Sequence, residues 1–287
     1  MIDRRTLLSA GLMVAVPALG APTRSWPNFD DLRMTLGSKG RLGLAAIDTG
    51  SGRTILFDAD ARYAMASTFK LALAGAVLAA IDQGRLALGS RLQIQPAHLL
   101  GHAPVVRQAG AGASLSIEQL CAAIIEASDN GAANMLLQKL GGPGSLTRFF
   151  RRCGDRFSRL DRYELALNSN LPGDPRDTTT PAAMLQTMRS LLVGELLNEP
   201  SRQRLTGWMV RSSRGLDRLR AGLPQGWRVG SKAGTGARGA MNDLAIAWPP
   251  NRPPILIASY VDAPNSTDHE RAAVHRQVAR RLAAALA

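Results

Sequence analysis

The sequence predicts an α+β fold in which both ends of the chain build one sheet and the middle builds a helical lobe. Three observations predict it. Strand-like runs occupy residues 41–58 and return over 227–261, so strand signals bracket the chain. Between them, apolar residues recur at helical spacing over 71–81, 117–127, 132–140 and 182–192. Residues 268–285 then read as an amphipathic helix.

Taken in order, residues 41–48 and 53–58 flank Thr49-Gly50-Ser51-Gly52, a strand–turn–strand hairpin. The segment 71–81 is rich in alanine and leucine, both strong helix formers. Gly141-Gly142-Pro143 and residues 168–180 break the helical pattern. Strands follow over 227–230, 244–248 and 255–261, and no internal repeat is evident. The spacing of Gly234, Gly236 and Gly239 matches a dinucleotide-binding glycine pattern, which requires a helix next. Residues 241–248 read as another strand, so these glycines mark a turn between strands.

Residues 1–20 read as an export signal rather than as fold. Arg4 and Arg5 precede an apolar run from Leu7 to Leu19, and small residues offer a cut after Gly20. The paired arginines resemble a twin-arginine signal; the alternative is an ordinary secretory signal that carries two arginines. The destination expected from this segment is the periplasm. No apolar run reaches the ~18 residues of a membrane span. The net charge of +13 raises nucleic-acid binding, but the arginines are dispersed and aromatic residues make up only 5%, too few for base stacking. A solvated basic surface with no nucleic-acid partner is the better reading. Cys121 lies in an apolar helical run where a free buried thiol is common, so a Cys121–Cys153 disulfide is not favoured.

The chemistry starts at Ser67-Thr68-Phe69-Lys70, at the entrance to the first middle helix. Residues three apart share a helix face, so the Lys70 ammonium reaches the Ser67 hydroxyl. A serine needs a neighbour to take its proton, and lysine serves when desolvation lowers its pKa. Read alone, the motif is weak, and an N-cap serine with a surface lysine is the better reading of it. Ser128-Asp129-Asn130 and Lys232-Ala233-Gly234 change that weighting, because the chain has only four lysines and two stand in these motifs. The four histidines lack metal-ligand spacing with any cysteine or acid, and no lipase-type Gly-x-Ser-x-Gly elbow occurs.

These motifs, in this order, resemble the penicillin-recognising serine enzymes. Residues 159–168 and 172–181, with Arg162, Glu164, Asn168 and Asp177, resemble the omega loop of class A serine β-lactamases, and the resemblance spans roughly residues 30–287. It implies a β-lactamase/DD-peptidase-like fold: an antiparallel five-stranded sheet flanked by helices (21–65 and 210–287), an all-helical lobe (66–209) with omega loop 162–177, and an active site between them. It also implies hydrolysis of the β-lactam amide of penicillin- or cephalosporin-type substrates, by a monomer without cofactor or metal.

The roles the resemblance implies are specific. Ser67 is the nucleophile, activated by Lys70 or Glu164, and the Ser67 and Thr235 N–H groups form the oxyanion hole. Glu164 is the base for deacylation, with Asn168 as the second contact to water. Ser128 carries a proton to the leaving nitrogen, and Asn130 holds the substrate's amide. Lys232, Thr235 and Arg218 receive its carboxylate, with Met241 standing where other members carry that arginine. Arg162 and Asp177 close the loop as an ion pair. His102 falls at the rim. Two residues depart from the pattern: Ala233 replaces a threonine and Ser231 replaces an acid. A lost hydrogen bond to a charged group costs ~1.5–3 kcal/mol, which Thr235 on the same strand face could restore. A DD-peptidase or a noncatalytic β-lactam sensor would share Ser67, Lys70 and Ser128; Glu164 separates this chain from both.

Overall fold

The computed structural model describes residues 27–286, so the export segment read at 1–20 lies outside the described residues. The first hairpin is made by Asp48. Its carboxylate accepts from Gly50 N (2.9 Å) and Ser51 Oγ (2.7 Å), and Gly52 takes φ 75°, a conformation open to glycine. The turn joins β1 (Arg41–Asp48) to β2 (Thr54–Phe57).

Seven further strands follow among the described residues: β3 (Tyr63–Ala64), β4 (Arg91–Gln93), β5 (Ser114–Ser116), β6 (Thr178–Thr179), β7 (Arg228–Thr235), β8 (Ala240–Trp248) and β9 (Ile255–Asp262). The main sheet has the order β2-β1-β9-β8-β7, with every pair antiparallel. Thus β1 pairs along its length with β9, from Arg41↔Asp262 to Asp48↔Ile255. The short ladders β3–β6 and β4–β5 lie outside this sheet.

The helices are α1 (Asp30–Thr35), α2 (Phe69–Asp82), α3 (Pro104–Ala109), α4 (Ile117–Ala122) and α5 (Asn130–Lys139). After them come α6 (Pro143–Arg152), α7 (Pro181–Leu192), α8 (Glu199–Val210), α9 (Leu219–Gly222) and α10 (Asp268–Leu286). Among the described residues, none is long and apolar enough to cross a membrane.

Strand alternation sorts the sheet's side chains between two cores. Ile255, Ile257 and Val261 join Phe29, Leu32, Val278 and Leu282 under α1 and α10. Leu256, Ala258 and Tyr260 face the other way, into the larger cluster shared with α2, α7 and α8. Both faces are therefore covered, and β8 is buried from Ala240 to Ala247. Helix α2 is buried at every position from Phe69 to Ala80, which is why its sequence is apolar all round rather than on one stripe. Truncating Leu73 or Leu78 there to alanine costs about 2–5 kcal/mol.

The helix expected over 117–127 divides. A Ser116–Gln119 capping box starts α4, but Ala123–Ala127 widens into a π-helical turn that ends at Ser128. Strand β7 runs unbroken from Arg228 to Thr235, joining the run read at 227–230 to the segment 232–235, and β8 begins at Ala240. Gly141-Gly142-Pro143 breaks one helix and, with Pro143 in its first turn, starts α6.

Candidate active site

The site forms where the sheet edge β7 meets the start of α2. Ser67 sits in the turn Ala66–Thr68 that leads into α2. Ala66 takes φ 44°, which a residue with a Cβ adopts at a cost of about 1–3 kcal/mol. Three ties hold the turn against that strain. Thr68 Oγ1 donates to Met65 O (2.7 Å), Met65 N donates to Asp177 O (2.9 Å), and Asn242 Nδ2 donates to Ala64 O and Met65 O (2.9 and 3.1 Å). Gly234 lets β7 pass against it. A Cβ there would stand 3.0 Å from Met65 O and 3.1 Å from both Ser67 N and Thr68 N, so a side chain would crowd the backbone of the turn.

Lys70 is fully buried, and its Nζ gathers the other site residues. It lies 2.9 Å from Ser67 Oγ, 2.9 Å from Ser128 O, 2.6 Å from Asn130 Oδ1 and 3.0 Å from Glu164 Oε1. Burial lowers its pKa, and the adjacent Glu164 carboxylate opposes that shift. The reading of Lys70 as a surface cation is thereby excluded.

Ser128 takes φ 60° at the end of the π-helical turn, and its Oγ stands 3.5 Å from Lys70 Nζ and 3.1 Å from Lys232 Nζ. Lys232 is also fully buried, and its Nζ donates to Ala233 O (2.7 Å). Burial, then repulsion from Lys70, pushes its pKa well below the usual lysine range. Asp129 fastens this motif: one oxygen caps α5 at Ala132 N (2.9 Å) and the other accepts from Val105 N and Val106 N on α3 (2.8 and 3.0 Å). Asn130 Nδ2 donates to Gly101 O (2.9 Å) and keeps a second hydrogen toward the cleft.

Glu164 reaches Lys70 from the omega loop. Arg162 Nε donates to Asp177 Oδ2 (2.6 Å), while Asp177 Oδ1 accepts from Asp161 N and Arg162 N (2.7 and 3.0 Å). Asp177 is 0% exposed, so this pair is not a surface ion pair. Asn168 Nδ2 donates to Glu164 Oε2 (2.6 Å), and Asn168 Oδ1 is buried without a hydrogen-bond partner in the protein. Asn134 makes a reciprocal clamp on the Glu164 backbone at 3.0 Å in both directions. Sequence reading missed Asn134 and Asn242; both act on the main chain of another segment, which no local motif marks.

Ser67, Ser128, Asn130 and Asn168 line a cleft of about 360 Å³ that also includes His102, Arg218, Ala233 and Thr235, with Lys70, Glu164 and Lys232 buried behind its wall. Among the described residues, no group of three or more His, Cys, Asp or Glu side chains is arranged to hold a metal ion.

Comparison with known proteins decides the family. A family model described as the β-lactamase enzyme family matches residues 30–286. This chain belongs to the class A β-lactamases. It is 43% identical over 273 residues to β-lactamase AST-1 of Nocardia asteroides, covering 89% of this chain and 87% of that protein. It is 41% identical over 242 residues to the carbapenem-hydrolyzing β-lactamase KPC of Klebsiella oxytoca, covering 84% and 82% respectively. An ancestral class A β-lactamase superimposes with a TM-score of 0.87 at 47% identity, covering 90% of this chain and 98% of that one.

Within that family frame, Arg218 and Ala233 stand out. Arg218 is only 8% exposed. Its Nη1 donates to Gly234 O (2.8 Å) and Asn242 O (2.7 Å), and its Nη2 donates to Thr235 Oγ1 (2.6 Å). Burial lowers its pKa. The guanidinium therefore orients the Thr235 hydroxyl rather than reaching out alone. Ala233 is buried beside Gly215, where an added Cβ would come 2.5 Å from the alanine methyl. Met241 is buried, and Ser231 Oγ is buried with no hydrogen-bond partner.

Proposed function

We propose that this chain hydrolyses the β-lactam amide of penicillin- and cephalosporin-type antibiotics through an acyl-Ser67 intermediate, and so confers resistance to them. The observation that carries this reading is the chain Ser67 Oγ–Lys70 Nζ–Glu164 Oε1, at 2.9 and 3.0 Å, with Asn168 on the other Glu164 oxygen. It joins an activated nucleophile to a base for a second, hydrolytic step.

In acylation, Ser67 Oγ attacks the lactam carbonyl carbon and gives up its proton to Lys70, or through water to Glu164. Both acceptors lie in one hydrogen-bonded path, so the product is the same. The Ser67 and Thr235 N–H groups stabilise the oxyanion. The C–N bond breaks as Ser128, recharged by Lys70, passes a proton to the departing nitrogen. Lys232 and the Thr235 hydroxyl held by Arg218 receive the substrate carboxylate, and Asn130 Nδ2 the side-chain amide. In deacylation, Glu164 takes a proton from a water that Asn168 Oδ1 helps to hold. The resulting hydroxide attacks the ester carbonyl, and Ser67 Oγ leaves with its proton restored.

The test is hydrolysis of a penicillin, a cephalosporin and a carbapenem by purified protein, with Ser67→Ala as control. Turnover of a penicillin that vanishes in the control is expected; activity retained by Ser67→Ala would overturn the reading. Export belongs to the same proposal: residues 1–20 direct the chain to the periplasm by the twin-arginine route, with cleavage near Gly20 and a monomeric mature enzyme. Replacing Arg4 and Arg5 by lysine is expected to stop export, whereas an ordinary secretory signal would tolerate the change.

A further inference from the structure

Behind the omega loop, away from Ser67, lies a second cavity of about 520 Å³, within the size range of small-ligand sites. One wall is the loop segment Leu171–Pro175; the other is the end of the sheet near Lys39, Arg41 and Asp262, with Arg238 on the turn after β7. Its charges do not balance. Asp174 is held bidentately by Arg176, Nε to Oδ1 and Nη2 to Oδ2, and Asp262 is shared by Arg41 at 3.8 Å and Asn170 Nδ2 at 3.1 Å. The cations Lys39, Arg62 and Arg238 have no carboxylate within 4.0 Å among the described residues. Both hydrogen bonds described for Arg62 use Nη1, to Phe157 O and Thr178 Oγ1 at 3.0 Å.

We propose that this cavity binds a small phosphate-type oxyanion of at least two negative charges, held between Lys39, Arg62 and Arg238. Guanidinium forks match the oxygens of a tetrahedral phosphoryl group, and lysine adds a point charge. The volume exceeds that of a single phosphate group, which suits a phosphate monoester or a pyrophosphate. Such a ligand bridges the loop to the sheet where Asn170 already ties them through Ala237 O (3.3 Å) and Asp262. The loop that carries Glu164 would thus be clamped from its outer side, with the cleft left open.

Calorimetric titration of the purified protein with inorganic pyrophosphate and, in parallel, ribose 5-phosphate tests the site. Binding of either supports it, and the tighter ligand identifies the source of the phosphoryl group. No heat from either up to about 10 mM, beyond the weakest useful affinity, overturns it. Lys39→Glu combined with Arg238→Glu is expected to weaken binding at least about tenfold, the equivalent of one charge-assisted hydrogen bond, while penicillin turnover is retained and reports an intact fold. Lys232→Ala is expected to leave pyrophosphate affinity unchanged. Loss of binding in Lys232→Ala, or competition of pyrophosphate with a penicillin, would place the anion in the catalytic cleft and overturn the proposal.

Discussion

The two oxygens of Glu164 have different neighbours: Oε1 lies 3.0 Å from Lys70 Nζ and Oε2 accepts from Asn168 at 2.6 Å. Lys70 thus reaches Ser67 without Glu164, whereas in the proposed mechanism the water of deacylation depends on Glu164. Glu164→Ala is therefore expected to acylate with a penicillin and then stall, with deacylation slowed by roughly 10²–10⁴-fold. A mass-spectrometric time course in which the acyl-enzyme never accumulates would refute the assignment. At the other end of the cleft, Arg218 holds the Thr235 hydroxyl at 2.6 Å, and under the proposed mechanism that hydroxyl stands in for the threonine absent at Ala233. Thr235→Ala is expected to lower kcat/KM by about 10–100-fold, the loss of one hydrogen bond to a charged group. Ala233→Thr is expected to raise kcat/KM less than Thr235→Ala lowers it, and steady-state kinetics on the two variants ranks them. Ser67 and Lys70 could be singled out from the sequence by their spacing on one helical turn, and Ser128 and Glu164 by the resemblance of their segments to family motifs; the structure gathers the other three around Lys70 Nζ. Asn134 and Asn242 could not, since each serves the backbone of a segment remote in sequence.

Among the elements, the omega loop and the sheet–α10 interface respond differently to perturbation. Removing the Arg162 side chain leaves Asp177, 0% exposed, with only backbone donors for its charge. Arg162→Ala is expected to slow deacylation more than acylation although Glu164 is intact, as separated in single-turnover experiments. Between β8, β9 and α10 lie two buried titrating groups of opposite effect. Burial raises the Asp243 carboxyl to about 7 and lowers the His275 imidazole to about 3. His275 Nε2 donates to Met241 O (3.1 Å), so the ring is the neutral tautomer that accepts from Ser259 Oγ at Nδ1 (2.9 Å). Between about pH 4 and 6.5, folded Asp243 holds a proton that the unfolded chain releases, so its contribution falls as pH rises. Over the same window the unfolded chain protonates its histidine while folded His275 stays neutral, so that contribution rises with pH. The two slopes oppose each other. Asp243→Asn is expected to make stability fall more steeply on acidification through this window, as measured by denaturant unfolding; a profile parallel to the parent's would contradict the pairing. None of this was legible beforehand, because both groups lie inside segments that read simply as strand or amphipathic helix.

For the whole molecule, the α+β arrangement was readable because strand signals cluster at the chain's ends and helical periodicity fills its middle. Helix α8 was not, since its apolar residues Leu205, Trp208 and Met209 are too few to set a period, and burial against the sheet rather than a stripe holds it in place. Cys121 and Cys153 are both free and buried, and burial raises both thiols above the usual range. A thiol reagent is therefore expected to label them only as the chain unfolds, with midpoints that match loss of secondary structure, and a reductant is expected to leave Tm unchanged. The strand order β2-β1-β9-β8-β7 also sets a schedule for biosynthesis. The first hairpin leaves the ribosome early but must wait, one edge unpaired, for residues 255–262. Ser67 and its helix likewise exist long before Gly234 and Thr235 arrive to face them. A partly synthesised chain therefore carries the proposed nucleophile without the strand that completes its cleft, and activity is expected only with the last fraction of translation.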